Sequence, residues 1–551
     1  MEYLIIGSVI VILVFIVIQY LKKTKSKSEI ETIRLEWGKP KSRNYEFHFA
    51  TIRKYANAIN ESFHRLTDQT IEDIDFHRVF MFIDRTTSRV GQQFLFKKVI
   101  EPTNSITDKS ENFIELFTRD RILREEIQLE LLKLSDYDAY YISSLLKGGF
   151  LPKPKWFKLV VLNVVFISCL IILSFKFIGL LIVLIFPITI NMFVHIYNKE
   201  ITKQFTLSVP QLNLLINASK ELIKKGGLLY DKSVEDSISN MKSFQRSARL
   251  IRFSPGGFGT DLSQYFFDII KVIFLIEFFM IFKVMKELKD KRSFIITLFD
   301  HVGKVDASIS VVSLRAGKLK TCKPTFVPAR KEIVAKDIYH PLIRDCVKNS
   351  LSISNKSILI TGSNMSGKST FLRTLAINSI LAQTIYTAFA DEYTSPILKQ
   401  FSSIRIDDNL FEGKSYYFQE VNTMASLIAE VEQPNQNLFI LDEIFKGTNT
   451  IERISAAKAI LSYLNRKDNI VVVSTHDIEL ADMLDNEYDL YHFTETVEND
   501  ELHFDHTIKL GQLRTRNAIK LLELSNYPTD IITEARQIST TLRSAKAISE
   551  E

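Results

Sequence analysis

The stretch "SILITGSNMSGKSTFLRTL", Ser357 to Leu375, decides the fold. A β-branched apolar run, Ile358–Ile360, reads as a buried strand. A loop bracketed by Gly362 and Gly367 follows, and Lys368 opens a helical pattern. The spacing is G-x-x-x-x-G-K-[ST]. Glycines at both ends let backbone N–H groups close on phosphate oxygens, and the positive end of the helix points at the same charge. The loop Gly362, Ser363, Asn364, Met365, Ser366, Gly367, with Lys368, Ser369 and Thr370, is therefore expected to bind ATP or GTP. Lys368 would reach the β- and γ-phosphates, and Ser369 would ligate Mg2+.

Two further strands belong to the same sheet. "NLFILDEIFKGTNT" (Asn437–Thr450) ends its apolar run on Asp442, placed to hold the Mg2+ shell, and on Glu443, placed to orient or deprotonate a water. An acidic pair capping a strand at the surface is the plainer reading, and the upstream phosphate loop argues against it. "NIVVVSTHD" (Asn469–Asp477) ends on Thr475 and His476. Ligands of parallel α/β sheets sit at that strand edge, so His476 is expected beside the γ-phosphate.

The bulk composition is less decisive. The 551 residues are 46% hydrophobic and 24% charged, and the length suits several domains. A net charge of +6 permits an anionic partner without demanding one. Cys169, Cys322 and Cys346 show no metal-ligand spacing and no disulfide framework, which suits a reducing compartment and predicts no metal cluster.

Membrane character is written in three apolar stretches. Tyr3–Tyr20 is about one bilayer span long, and Lys22, Lys23, Lys25 and Lys27 follow it rather than precede it. A cleaved signal peptide would show the reverse charge order and a small-residue cleavage site, so an uncleaved anchor is expected, with residue 22 onward cytoplasmic. Leu159–Ser174 and Phe177–Tyr197, separated at Lys176 and flanked by Lys153, Lys155, Lys158, Lys199 and Lys203, read as a transmembrane hairpin with both ends cytoplasmic. A buried soluble hairpin is the alternative, but "VVLNVVFISCLIILSF" is apolar on every helical face. Tyr265–Leu288 carries Asp268, Lys271, Glu277 and Lys283, too costly in lipid, and reads as a long helix packed on protein.

The motifs together resemble the MutS mismatch-repair ATPases. "TGSNMSGKST" resembles their phosphate loop, "LDEIFKGTNT" their L-D-E segment, "STHD" their S-T-H segment, and "HPL" (His340–Leu342) the element ahead of the loop. "DNLFEGKSYYFQE" (Asp408–Glu420) resembles the segment whose serine, here Ser415, approaches ATP of the opposite subunit. "NYPTDIITEARQI" (Asn526–Ile538) resembles the family ending. "DRTTSRVGQQFLFKKVIEPTNSI" (Asp84–Ile106) and "VDASISVVSLRA" (Val305–Ala316) resemble two segments of its helical core. The chain departs at Ser363, which replaces a proline, at Asn526, which replaces a glycine, and around Glu452 and Arg453. No counterpart of the mismatch-reading wedge domain is expected ahead of residue 75, and a hairpin in lipid would leave no clamp to close around mismatched DNA.

The resemblance implies a MutS-like, ABC-type α/β P-loop NTPase domain behind an all-α helical core with transmembrane helices. The expected order is an anchor and basic flank over 1–28, the first part of the core over 29–150, the hairpin over 151–200, the core and lever over 201–324, and the ATPase domain over 325–551. It implies ATP and Mg2+ as cofactors, a homodimer through the ATPase domains, and double-stranded DNA as partner. The basic run Lys242–Arg252 offers phosphate contacts or a plain solvated surface. Membrane lipid is a further expected partner, with about three transmembrane helices and a cytoplasmic ATPase domain. Two jobs stay open: a membrane-held ATPase acting on DNA in mismatch repair or damage sensing, or a membrane ATPase moving its hairpin for transport, envelope or scaffolding work without DNA. ABC transporter ATPases use similar heads, but their L-S-G-G-Q helix is not found here.

Overall fold

The computed structural model describes residues 2–59, 63–104, 110–146, 153–251, 269–363, 365–405, 416–445, 448–498, 501–513, 519, 522–523 and 527–549. The chain forms two compact units. One comprises Met1–Glu61, Ile83–Lys98 and Thr107–Gly317; the other comprises Ser62–Phe82, Val99–Ile106 and Lys318–Glu551. Within the stretch expected as the first part of the helical core, residues 62–82 and 99–106 thus pack with the C-terminal unit.

The first unit is helical. At its centre runs the helix Arg292–Arg315, almost wholly buried from Val302 to Leu314. Its Asp306 carboxylate accepts the Thr87 N–H (2.9 Å), the Ser88 N–H (2.7 Å) and the Ser88 hydroxyl (2.6 Å). Those donors lie just ahead of the helix Arg89–Ile100, so Asp306 acts as an N-cap supplied from a distant part of the chain. The two core-like segments named from the sequence therefore meet. Asp84 closes the same turn, accepting the Thr86 hydroxyl at 2.6 Å and pairing with Lys41 at 2.8 Å. Burial pushes Asp306 up to about 6, against the pull of its three donors.

A forty-residue helix, Ile185–Lys224, runs through this unit with Pro210 inside it. The stretch Leu180–Lys199, which leads through the short helix Leu180–Val183 into it, and the helix Phe157–Ser174 are the two described segments long and apolar enough to cross a membrane, and only 17% of either is buried. Asn163 donates to Asn191 across the hairpin (2.8 Å), and Asn191 donates to the Ile273 carbonyl (2.6 Å). The stretch expected as one helix over 265–288 is described from residue 269 and is interrupted at Leu275, which is left-handed (φ 48°). Beyond that break, Ile276–Leu288 buries Phe278, Ile281, Phe282, Val284, Met285 and Leu288 against protein. The expected anchor, Tyr3–Tyr20, falls within the helix Glu2–Glu36.

The second unit is α/β. Its strands are β1 (Thr325–Phe326), β2 (Glu332–Ile338), β3 (Asn349–Ser354), β4 (Ser357–Thr361), β5 (Glu392–Ser395), β6 (Lys399–Ser403), β7 (Asn437–Asp442), β8 (Ile470–Thr475), β9 (Tyr488–His492), β10 (Glu495–Glu498), β11 (Glu501–Phe504) and β12 (Lys509–Leu510). The main sheet has the order β12-β9-β4-β8-β7-β6, parallel except for β12. Residues of β4 and β8 are buried throughout, as strands covered on both faces must be. Helices Lys368–Ile385, Tyr416–Val431, Thr450–Leu464 and Ile478–Leu484 accompany the sheet. A smaller sheet, β1-β5-β2-β3, and the hairpin β10-β11 complete the unit.

The packing of the helices Arg89–Ile100 and Arg292–Arg315 leaves no space at two glycines. A methyl on Gly91 would fall inside contact distance of the Asp306 carboxylate, and one on Gly303 would lie 2.5 Å from Phe94 Cβ. Gly91→Ala and Gly303→Ala should each destabilise the helical unit by about 1–3 kcal/mol through overpacking. Denaturant unfolding followed by circular dichroism checks this, and unfolding midpoints equal to the parent's would show that the core yields at no cost.

Candidate functional site

Parallel register builds the site. Thr361 of β4 lies opposite Thr475 of β8, and Asp442 of β7 lies opposite Ser474. The phosphate loop, the Asp442–Glu443 pair and His476 therefore leave the sheet at one edge. Gly362 (φ 155°) and Gly367 (φ 115°) have the conformations the loop requires, and Met365 between them is also left-handed (φ 73°). A side chain at Gly362 would meet the Phe493 carbonyl at 2.9 Å.

Lys368 begins its helix and turns its ammonium back over the loop. The amine donates to the carbonyls of Gly362 (2.8 Å) and Ser363 (2.9 Å) and lies 3.4 Å from His476 Nε2. The same His476 nitrogen is 2.6 Å from the Glu443 carboxylate. Lys368, His476 and Glu443 thus form one row along the edge. Glu443 is left-handed (φ 50°) and its N–H donates to the Ser474 carbonyl at 3.0 Å, so a strained residue is held in place by the next strand.

Ser369 donates its hydroxyl to Asp442 Oδ2 at 2.5 Å, and the Ser474 hydroxyl donates to the other oxygen of the same carboxylate. A hydroxyl and a carboxylate brought together at the start of the helix are hard oxygen donors of the kind Mg2+ takes. Among the described residues no group of three or more His, Cys, Asp or Glu side chains gathers as a metal-binding cluster.

The cavity over this row has a volume of about 440 Å3. Ser363, Met365, Gly367, Lys368, Ser369, Thr370 and Glu443 all line it. Asn364 and Ser415 lie outside the described residues. Of the two positions where the family pattern breaks, Glu452 accepts from the Thr448 hydroxyl (3.1 Å), and Arg453 forms a two-pronged pair with Asp477 (3.0 and 2.8 Å) beside His476.

Sequence reasoning missed the far wall. Phe493 and His506 line the cavity, as do Ile343 and Cys346 beyond the "HPL" element. His506 Nδ1 lies 3.0 Å from the Ser366 carbonyl, so that nitrogen carries the proton. Ser363, which stands where the family has proline, donates its hydroxyl to Glu495 at 2.6 Å. The loop is therefore braced by a segment more than a hundred residues later in the chain, and no local pattern signals it.

A second brace uses Asp73. Its carboxylate accepts the Ser402 hydroxyl (2.6 Å) and the N–H groups of Ile404 (3.0 Å) and Arg405 (2.7 Å), at the end of β6. Its carbonyl accepts from Arg373 of the phosphate-loop helix (2.8 Å). Burial pushes the Asp73 carboxyl up, and these donors oppose the shift.

The comparisons with known proteins meet this geometry. The family model for MutS domain V matches residues 358–543. The chain is 31% identical over 207 residues to the DNA mismatch repair protein MutS of Thermotoga maritima, covering 36% of this chain and 26% of that protein. It is 28% identical over 276 residues to that of Bacillus cereus, covering 47% and 31%. It is 28% identical over 234 residues to the MutS protein homolog him-14 of Caenorhabditis elegans, covering 40% and 27%. The match thus spans between a quarter and a third of each relative's length.

His340 of the "HPL" element gives the unit an acid-sensitive point. It is buried, and its Nδ1 accepts the Leu342 N–H at 3.2 Å, which requires the neutral ring. Burial first, then Arg373, push it down to about 4, with Asp75 opposing. Unfolded, it would take a proton near 6.5. Stability is therefore complete above 6.5 and is lost as pH falls toward 4. From pH 7.5 to 5.5 the parent should lose about 1 kcal/mol more than His340→Gln. Thermal unfolding of both at the two pH values checks it, and identical losses would mean the imidazole titrates freely.

Proposed function

We propose, from the premise that its C-terminal domain V places this chain in the MutS family, that it is a membrane-held ATP hydrolase whose ATPase domains work as a dimer. MutS family proteins are ATPases. The observation that carries the reading here is the row Lys368–His476–Glu443 beside the Ser369–Asp442 pair.

In this reading Lys368 exchanges its two loop carbonyls for β- and γ-phosphate oxygens, and the loop N–H groups take the remaining phosphate charge. Ser369 and Asp442 would hold Mg2+, which supplies charge neutralisation on the phosphates when bound. The Glu443 carboxylate orients the attacking water and accepts its proton. His476, in reach of both Glu443 and Lys368, links the water side of the site to the phosphate side. Ser415 of a second copy completes the site, as the family resemblance implies. DNA binding, implied by the names of the relatives, belongs to the same proposal.

The second reading, a membrane ATPase that moves its hairpin and needs no DNA, draws on a specific observation. The hairpin helices are long, apolar and only 17% buried, which suits lipid better than a soluble core. ATPase rates of the full chain with homoduplex, mismatched and branched DNA, with and without vesicles, separate the two. Stimulation by DNA supports the first; stimulation by vesicles alone supports the second.

Lys368→Ala should lower ATP turnover at least about a hundred-fold, the scale for removing a preorganised charge donor. Glu443→Gln should leave ATP affinity near the parent's and lower kcat by about 100- to 10,000-fold, since only proton acceptance is lost. Equilibrium nucleotide binding and steady-state phosphate release measure the two separately. Parent-like turnover in Glu443→Gln would move the role of base to His476.

A further inference from the structure

We propose that the cavity between residues 195–207 and the start of the Ile276–Leu288 helix binds the phosphate of an anionic phospholipid headgroup. The proposal rests on the membrane reading above and adds to it a defined site and ligand class.

His195, Lys199 and Lys203 follow one another at four-residue spacing and so share one face of the long helix. With Asn198, Thr202 and Thr206 they line a cavity of about 220 Å3, closed on the other side by Glu277 and Phe278. His195, Lys199, Lys203 and Glu277 make no hydrogen bond or ion pair with any described residue. Two lysines that face one cavity with no carboxylate at ion-pair distance are an anion-binding arrangement, and the Thr206 hydroxyl adds a donor for a phosphate oxygen, whereas the Thr202 hydroxyl is already given to the Asn198 carbonyl at 2.8 Å.

The position selects a lipid over a soluble anion. Toward its N-terminus the same helix is apolar and exposed at Ile190, Phe193, Ile196 and Tyr197. Phe193 lies six residues before Lys199, about 9 Å along the axis. Acyl chains on that apolar face would bring a headgroup to the level of the lysines. Trp156 marks the same level: its ring is 6.3 Å from Tyr197 and 5.6 Å from Phe278, which itself lines the cavity. Aromatic rings of this kind collect at the membrane–water interface, and lysines beside them keep their charge on the polar side. Glu277 on the opposite wall weakens the binding of any anion and can accept from a headgroup hydroxyl.

The test uses the full chain in detergent, titrated with phosphatidylglycerol, phosphatidylcholine or soluble glycerol 3-phosphate. Bound lipid is read by native mass spectrometry and by the thermal midpoint. Phosphatidylglycerol should bind and raise the midpoint, and phosphatidylcholine should not. Lys199→Gln with Lys203→Gln should weaken phosphatidylglycerol about thirty-fold, the factor two lysines near an anionic surface are worth. Glu277→Gln should bind more tightly than the parent, a gain that a folding defect would not produce. Equal binding of both lipids, or an unaffected lysine double variant, overturns the site. Glycerol 3-phosphate matching the lipid overturns the lipid assignment. Flotation with phosphatidylcholine vesicles is scored in parallel. A chain that floats without preferring phosphatidylglycerol loses this site and keeps its membrane reading, whereas a chain that does not float overturns both.

Discussion

The register between parallel strands is the constraint on which the candidate site depends. With Thr361 opposite Thr475 and Asp442 opposite Ser474, three chain segments leave the sheet at one level. A slip of one residue would turn each side chain to the opposite face. Lys368 could then not stand 3.4 Å from His476, nor Ser369 within hydrogen-bond reach of Asp442. The apolar runs of β4, β7 and β8 fix that register because every one of their positions before the edge is buried. The chemistry at the edge is thus a consequence of packing several residues away.

What holds the edge in shape is a set of long-range polar contacts. Asp73 ties the end of β6 and the phosphate-loop helix to one short segment from the first hundred residues. Glu495 and His506 hold the loop from the other side. Each replaces water at a buried or half-buried polar group, backbone or hydroxyl, that would otherwise lack a partner, a loss worth about 1–3 kcal/mol per group. Between two glycines that take positive φ freely, the loop holds Met365 at φ 73°, a conformation that persists in a non-glycine residue only when its surroundings over-determine it. These braces do that.

The parts legible in the sequence are those whose chemistry is local. Gly362 to Thr370, Asp442 with Glu443, and Thr475 with His476 are each written in a few adjacent residues, and strand-edge placement follows from apolar runs ending on polar groups. The contacts that were not legible join residues far apart. Asp73, Asp306, Glu495 and His506 look like ordinary surface or turn residues, because nothing nearby tells which distant N–H, hydroxyl or carbonyl they will meet. Gly91 and Gly303 read as weak points in helices until Asp306 and Phe94 fill the space where their side chains would be. The break at Leu275 was hidden for a related reason. The run Val272–Ile276 around it is uniformly apolar, and periodicity cannot locate a left-handed residue within such a run.

That break has a physical logic of its own. Interrupting a helix frees carbonyls that an apolar environment cannot hydrate. Ile273 packs with Ile167, Leu170 and Leu184 of the hairpin, and its carbonyl accepts from the fully buried Asn191. Asn191 in turn accepts from Asn163 on the neighbouring helix. The asparagine amides therefore do for the helix end what water would do at a surface. An apolar residue at 191 would pack as well but would leave the Ile273 carbonyl without its donor. Interhelical hydrogen bonds of this kind contribute modestly to stability, on the order of 1 kcal/mol, yet they fix which faces meet. The hairpin and the broken helix are thereby locked in one mutual register. Any movement of the Ile276–Leu288 helix would be felt at Asn191, about 9 Å from the Tyr197 level along a continuous helix.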